Sequence, residues 1–257
     1  MRALVVILAS LFVAPVALAR GVKPTSTTHR AKATNATHRT QIAVREDDAP
    51  RRHKRDATPQ SVGASWAGRL QHPSQLKLGD AAHIRRPYRA FGTRTTVEFT
   101  RRAIQETAKQ FPKAHPLAIG DLSAQNGGPI SDHHSHQSGR DVDIGLYYRK
   151  QPQGYPSGFV TGTEANLDRA AMWTLVSKLA NTASKDGGVQ IIFLDYDVQG
   201  ILYRWAKDHG VSDQKLERIF QYPHGRDAGA GIIRHYRNHA NHVHVRFKCS
   251  SADTGCR

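Results

Sequence analysis

Six of the chain's fifteen histidines lie in two short stretches, and their placement constrains what the chain can fold into. Residues 131–145 read SDHHSHQSGRDVDIG, and residues 238–247 read NHANHVHVRF. Imidazole nitrogens and carboxylate oxygens are ordinary zinc ligands. A fold that brings the two stretches together therefore concentrates metal-binding groups at one point, and the rest of the chain serves as scaffold, export signal or tail.

The second stretch predicts a strand over residues 242–247 with two histidines on one face. Side chains two residues apart on a strand point to the same side, so His242 and His244 share one face while Val243 and Val245 share the other. Two histidines at this spacing indicate a metal site only weakly, because a third ligand must come from elsewhere. The alternative is a strand that turns two polar residues toward water.

The first stretch can supply the other ligands. His136 and Asp143 are seven residues apart, Gly139 permits a turn between them, and Asp143 falls on a predicted strand over residues 141–146. These two residues and one histidine of the second stretch give three zinc ligands and leave a fourth position for water. An open fourth position distinguishes catalytic zinc from structural zinc. The alternative for Asp141 and Asp143 is a solvated strand end.

Helices and strands follow one another without a regular βαβ repeat, which predicts an α+β fold. Thr163, Asp197 and Ser212 are suitable residues to cap helices at their amino-terminal ends. All three tryptophans are expected to pack in the core. The predicted helices cover residues 96–111, 163–183, 197–210 and 212–220, and the predicted strands cover residues 117–122, 141–146, 189–194 and 242–247.

The amino-terminal segment differs in composition from the rest of the chain. Residues 1–19 combine a positively charged start, an apolar run and an Ala-Leu-Ala cleavage site, which is typical of a secretory signal peptide. A membrane anchor is the alternative, although the apolar run is short for a span. Residues 20–61 are poor in large apolar side chains and predict a disordered basic tail or pro-segment. The folded domain is expected to cover residues 62–257, with no membrane association after signal removal.

Lysine and arginine outnumber aspartate and glutamate by 37 to 21, which gives a formal net charge of +16. Such a balance indicates an anionic partner: nucleic acid, anionic lipid or an acidic polymer such as a bacterial cell wall. Because the basic residues are dispersed and not interleaved with aromatic residues, no nucleic-acid partner is expected. A non-catalytic protein that binds the cell wall or another polyanion is one alternative. The oligomeric state stays open.

The chain's two cysteines, Cys249 and Cys256, lie seven residues apart near its end. In the oxidising compartment that export implies, this pair predicts a disulfide that pins the end of the chain. Two free thiols are the alternative. A zinc pair is disfavoured, because no other cysteine exists to complete such a site.

The run His136-Gln-Ser-Gly-Arg-Asp-Val-Asp143 resembles the HxxxxxxD motif of the LAS zinc peptidases, and His242-Val-His244 resembles their HxH motif. Within that group the local sequence is most similar to the penicillin-insensitive murein endopeptidases. The supporting features are a Gly-Gly-Pro loop upstream of the first motif and His239, five residues before His244. The resemblance covers roughly residues 117–256. It implies an LAS peptidase-like fold, an antiparallel sheet flanked by helices.

The resemblance also implies roles for individual residues. His242 corresponds to the general base, and His239 to a histidine that polarises the substrate or the developing oxyanion. Some family members bind a second zinc through an additional aspartate and histidine, which have no counterpart in residues 154–166. The implied zinc-site residues are His136, Asp143 and His244 as ligands, and His133 as a further family histidine near the metal.

The substrate of that family is the peptidoglycan cross-link between D-alanine and meso-diaminopimelate. The resemblance therefore implies a periplasmic or secreted zinc endopeptidase whose partners are cross-link peptides. A zinc D,D-carboxypeptidase or an L-alanyl-D-glutamate peptidase shares the core motif and remains an alternative. Arg140 and Arg246 are candidates to hold a substrate carboxylate through bidentate contact, with ordinary surface arginines as the alternative.

Overall fold

The computed structural model describes residues 60–257. The predicted signal peptide and almost all of the predicted basic tail lie outside the described residues. The first described residue, Gln60, is buried, and the first strand begins at Ser61, one residue before the predicted start of the domain. No helix in the described part combines the length and the apolar character that a membrane crossing requires.

A six-stranded sheet forms the centre of the domain. The order across the sheet is β4 (Ala82–Ile84), β6 (Leu117–Ile119), β7 (Asp141–Gly145), β10 (His242–Phe247), β8 (Val189–Phe193) and β9 (Ile233–Arg234). The four inner strands pair antiparallel, and the edge strands β4 and β9 pair parallel to their neighbours. Two small antiparallel pairs flank it: β1 (Ser61–Ala64) with β2 (Ala67–Leu70), and β3 (Ser74–Gln75) with β5 (Phe91–Gly92).

Within residues 60–257, four α-helices accompany the sheet: α1 (Arg94–Gln110), α2 (Arg169–Ala180), α3 (Tyr196–Asp208) and α4 (Asp213–Ile219). The mixture of helices with a largely antiparallel sheet confirms the predicted α+β class. The predicted strand over residues 242–247 coincides with β10, and Ser212 is the N-cap residue of α4 as expected.

Two helix starts differ from the prediction because other side chains satisfy the first amide groups. The prediction that Thr163 caps α2 is wrong, since Asp168 accepts from the amide of Ala171, and Thr163 instead closes a turn with Asn166. Asp195, and not Asp197, caps α3. A sequence with several capping residues close together does not specify which one begins the helix.

The two central strands separate an apolar face from a polar one. Val142 and Ile144 of β7 and Val243 and Val245 of β10 are fully buried and belong to the same hydrophobic core as the buried side chains of α2. Full burial of such side chains stabilises the fold by about 1.5–3 kcal/mol each. Because side chains alternate along a strand, the polar residues of β7 and β10 are all directed to the opposite face.

The prediction that all three tryptophans pack in the core is only partly correct. Trp173 is buried and stacks on Phe220, whereas 62% of Trp66 is exposed at the turn between β1 and β2. The predicted disulfide between Cys249 and Cys256 is present. The loop that it closes joins the first strand, because the amide of Gly63 donates to the carbonyl of Gly255 at 2.8 Å.

Candidate metal centre

The strand register at the middle of the sheet sets the first two groups of the site. β7 and β10 pair antiparallel with His244 directly opposite Asp143. Residues opposite each other on one face lie within side-chain contact. Nδ1 of His244 is accordingly 3.0 Å from Oδ1 of Asp143. A shift of one residue in this register would send one of the two side chains to the apolar face.

His136 reaches the same point from the loop that precedes β7. Its backbone is left-handed, with φ of +67°, a conformation that costs a non-glycine residue about 1–3 kcal/mol and is concentrated at functional sites. Nε2 of His136 lies 3.5 Å from Oδ1 of Asp143 and 3.3 Å from Nδ1 of His244. The three atoms form a triangle with edges of 3.0–3.5 Å.

This triangle fits a tetrahedral zinc ion. Ligand bonds of about 2.0–2.2 Å at tetrahedral angles place ligand atoms about 3.3–3.6 Å apart. Oδ1 of Asp143 is buried and has no hydrogen-bond partner among the described residues, although it lies close to two imidazoles. Buried carboxylate oxygens are expensive to leave unsatisfied. A cation at the centre of the triangle would supply the missing partner.

Each histidine of the triangle is oriented through its other nitrogen. Nδ1 of His136 lies 2.6 Å from the carbonyl oxygen of Leu122, and Nε2 of His244 lies 3.1 Å from Oδ1 of Asp141. In the neutral form of each ring, donation to these acceptors leaves the nitrogen of the triangle without a proton, which is the form that would bind a metal. Asp141 also accepts from the amide of His136 and from Nε of Arg246. Sequence motifs alone assign no role to Asp141. The spacing Asp141-Val142-Asp143 does indicate that the two aspartates share one face of the strand.

His133 contacts the far side of Asp143. Its Nδ1 lies 3.8 Å from Oδ2 of Asp143, and its Nε2 lies 3.0 Å from Oδ2 of the fully buried Asp121. Arg86 and Arg89 pair with the same Asp121 carboxylate. His133, His136 and Asp143 can also be grouped as metal ligands, with their atoms within 4.8 Å of one another. The set that includes His244 is tighter and therefore fits a single ion better.

A cleft of about 440 Å³ opens above the triangle. His242 lies in it with Nε2 3.9 Å from Oδ1 of Asp143, and its ring stacks on Phe159. The ring of His239 lies 4.7 Å from that of His242. Aromatic and histidine side chains form much of its wall, among them Trp66, Phe193, Tyr236, His239, His242 and His244.

Burial and the neighbouring aspartates have opposite effects on the pKa values of these histidines. Burial acts to lower the pKa of His244, but the hydrogen bonds and charges of Asp141 and Asp143 overcome it and raise that pKa to about 9. Burial lowers the pKa of His242 to about 4, and it also lowers the pKa of His239. Near neutral pH His242 is therefore an unprotonated base, whereas His244 releases a proton when a cation binds.

The ionisation of the two aspartates depends on the histidines that face them. Burial alone would raise the pKa of Asp141 and of Asp143. The hydrogen bond and charge of His244, with the charges of His136 and Arg246, nevertheless hold the pKa of Asp141 below the ordinary 3.8, and the charges of His136 and His244 hold that of Asp143 well below it. Both side chains are therefore carboxylates near neutral pH. The ionised Asp143 beside two imidazole nitrogens offers the ligand types that zinc takes.

Comparison with known proteins gives the family to which the chain is similar in sequence. A family model described as penicillin-insensitive murein endopeptidase matches residues 73–224. The chain belongs to this family. A relative of that name from Yersinia pestis is 28% identical over 217 residues, which cover 79% of this chain and 71% of the relative. One from Pectobacterium atrosepticum is 27% identical over 218 residues, which cover 80% and 70%.

The match to the murein endopeptidase family model includes His133, His136 and Asp143 but ends before the second histidine stretch. What brings His244 to the first motif in this chain is the pairing of β10 with β7. Two other residues of the first stretch lie apart from the triangle. His134 is exposed at the wall of the cleft, and Arg140 is buried with its guanidinium bound to main-chain carbonyls.

Proposed function

We propose that the chain is a secreted zinc metalloendopeptidase that hydrolyses the D-alanyl–meso-diaminopimelyl cross-links of peptidoglycan. The observation that carries the proposal is the triangle of His136, Asp143 and His244, one corner of which is the buried, unpartnered Oδ1 of Asp143. Membership of the murein endopeptidase family supports peptidoglycan as the substrate. The cleft above the triangle gives a peptide access to it.

His136, Asp143 and His244 would hold the zinc ion. Zinc lowers the pKa of water that it binds from about 16 to near 7 and polarises a carbonyl oxygen. His242 lies beside the ligands and is neutral at neutral pH, so it accepts the proton of the attacking water and returns it to the leaving amine. We assign His239, packed against His242, to polarising the substrate or the developing oxyanion. Because its Nδ1 donates to the carbonyl oxygen of Arg237 at 2.7 Å, donation from Nε2 would require the imidazolium form.

We further propose that one zinc ion occupies the site and that His133 supports it without being one of its three principal ligands. Nδ1 of His133 is farther from Asp143 than either imidazole nitrogen of the triangle. Residues 154–166 contain neither an aspartate nor a histidine that could complete a second site. Metal analysis of purified protein is expected to give about one zinc per chain, and two would contradict this point.

The same proposal includes the compartment and the domain arrangement. A peptidoglycan hydrolase acts in the periplasm or outside the cell, which is where a signal peptide at residues 1–19 directs the chain. We place the catalytic domain at residues 62–257 and a basic tail or pro-segment at residues 20–61. Export with cleavage predicts that the amino-terminal residue of the mature protein, determined by mass spectrometry, lies at or beyond residue 20.

Digestion of purified murein tests the activity. Zinc-loaded protein is expected to convert cross-linked muropeptide dimers to monomers, and both a chelator and His136→Ala should abolish the conversion. Loss of terminal D-alanine without loss of dimers would identify a D,D-carboxypeptidase instead, and cleavage between L-alanine and D-glutamate would identify the other related peptidase. Protein that holds no zinc and keeps its properties after His136→Ala would indicate a non-catalytic wall-binding protein.

A further inference from the structure

A second cavity, of about 200 Å³, lies beside the metal cleft and shares two residues of its wall with it, Trp66 and Arg246. None of the side chains that line this cavity is an aspartate or glutamate. We name it the basic pocket. Its wall includes Ser65, Trp66, Arg140, Arg246, Lys248 and Arg257.

The basic side chains of the pocket differ in how many of their hydrogen-bond donors already have a partner in the protein. Arg140 donates to main-chain oxygens of Phe247 and Arg257, so it holds the segment around Arg257 in place. Arg246 donates through Nε to Asp141 at 2.7 Å, and its two terminal nitrogens make no hydrogen bond within the described residues. Nζ of Lys248 donates once, to the carbonyl of Ala183. Arg246 and Lys248 therefore keep donors for an external anion.

Arg246 stands at the boundary between the two cavities because of its position in β10. It is two residues beyond His244 and so shares the face of the strand that carries the metal triangle. If the terminal nitrogens of Arg246 hold an anionic group of a substrate, that group lies close to the bond cleaved at the triangle. Because of this placement, a substrate bound at the triangle can also reach the basic pocket.

Ser65 adds a second observation that points to a ligand. It is 1% exposed, it lines the basic pocket, and its Oγ has no hydrogen-bond partner among the described residues. A buried hydroxyl without a partner costs free energy, which a ligand oxygen can recover. The next residue is the exposed Trp66, so the turn between β1 and β2 offers a donor and an aromatic surface side by side.

We infer that the basic pocket binds a carboxylate of the substrate peptide, while Trp66 packs against the peptide between the pocket and the metal cleft. The inference rests on the proposed function. In a D-alanyl–diaminopimelyl cross-link the carbon attached to the scissile nitrogen carries a carboxylate. With the scissile carbonyl at the triangle, that carboxylate lies toward Arg246, and Ser65, Lys248 and Arg257 complete an environment of donors.

The test compares binding of two muropeptide dimers, one with this carboxylate free and one with it amidated. Binding is measured by calorimetry on the full chain carrying His242→Gln, which slows cleavage. The free acid is expected to bind roughly tenfold more tightly than the amide. Adding Lys248→Gln together with Arg257→Gln should reduce the ratio below about threefold, whereas Lys109→Gln, an exposed lysine of α1, should leave it unchanged.

The outcomes separate the inference from the proposed function. Equal binding of the two dimers, or a preference that the double substitution leaves intact, overturns the inference even if the unsubstituted protein cleaves both dimers. Failure of the unsubstituted, zinc-loaded protein to cleave either dimer overturns the proposed function, while a free-acid preference that depends on Lys248 and Arg257 still supports the pocket. Inorganic phosphate that binds the pocket without any preference between dimers would show a general anion site and would overturn the inference.

Discussion

At the scale of single residues, the site depends on groups that never touch a metal. Asp141 connects Nε2 of His244, the amide of His136 and Nε of Arg246 through its two oxygens. Partners of this kind fix ring orientation and tautomer and raise the basicity of the ligand. Asp141 is therefore a positioning residue for two of the three proposed ligands.

We predict that Asp141→Asn weakens zinc binding by about 10–100-fold, because asparagine has one acceptor oxygen in place of two. Its NH2 group would face either the amide of His136 or the donors of His244 and Arg246, all of which need an acceptor. Competition with a chromophoric chelator measures the affinity. Asp132→Asn is the matched control, since Asp132 is an exposed carboxylate at the wall of the same cleft. Equal losses in the two variants would show that net charge matters and that positioning does not.

His115 provides a pH effect far from the metal ligands in sequence. Its Nε2 accepts from the amide of Tyr148 at 2.9 Å, and burial lowers its pKa below the ordinary 6.5. The unfolded chain then binds the proton more readily, so this contribution to stability is complete above pH 6.5 and is lost as the pH falls through the folded pKa.

We predict that the unfolding free energy of the unsubstituted protein falls more steeply between pH 7 and pH 5 than that of His115→Gln, by up to about 1.4 kcal/mol per pH unit. Glutamine keeps an acceptor for Tyr148 but does not titrate in this range. Urea denaturation at several pH values measures both slopes. Parallel curves for the two proteins would show that His115 does not titrate on unfolding.

At the scale of elements, the loop between His136 and β7 carries the geometry of the first motif. Gly139 has φ of +72°, and a Cβ built there would lie 2.7 Å from a methyl group of Leu70. Its carbonyl also accepts from the amide of Thr93, at the start of α1. The glycine expected from the sequence to permit a turn therefore also permits close packing against β2.

We predict that Gly139→Ala destabilises the domain by about 2–4 kcal/mol, which combines left-handed strain with overpacking. Gly158→Ala is the control, because Gly158 has no left-handed φ and its Cβ would meet no atom closer than 3.9 Å. That control should change the unfolding free energy by less than about 1 kcal/mol. Denaturant titration compares them, and similar midpoints would contradict the packing argument.

Alternation along β10 was readable from the sequence because polar and apolar residues follow the period of a strand. The neighbours of β10 were not readable. Side-chain alternation specifies which face a residue occupies, but it does not specify that β7 and β8 flank the strand. Motifs in the sequence predict a site made of His133, His136, Asp143 and His244. No motif predicts the contact of Asp121 with His133, because the fold brings these two segments together.

At the scale of the whole molecule, part of the excess of basic residues lies close to the proposed metal site. The sequence indicated an anionic partner, and the basic pocket is a place where such a partner has unused donors beside the metal cleft. The end of the chain helps to form it, since Arg257 binds Gly63 of β1 through its amide and Arg140 through its carbonyl. The disulfide loop thus supports the hairpin that presents Trp66.

Metal binding should be coupled to folding of the entire domain. The proposed ligands come from a loop and from two strands that meet only when β10 inserts between β7 and β8. The unfolded chain keeps these groups far apart, so zinc binds the native state in preference. A ligand of this kind stabilises the native state by about 2.7 kcal/mol at a free concentration one hundred times its Kd.

We predict that zinc at that concentration raises the midpoint of thermal unfolding by roughly 5–10 °C, given about 2–4 °C per kcal/mol for a domain of this size. His136→Ala and His244→Ala should each remove most of the shift, because each deletes one corner of the triangle. His134→Ala, at the exposed wall of the cleft, should retain it. A shift that survives both ligand substitutions would place the zinc elsewhere, and scanning calorimetry with and without a chelator distinguishes the two results.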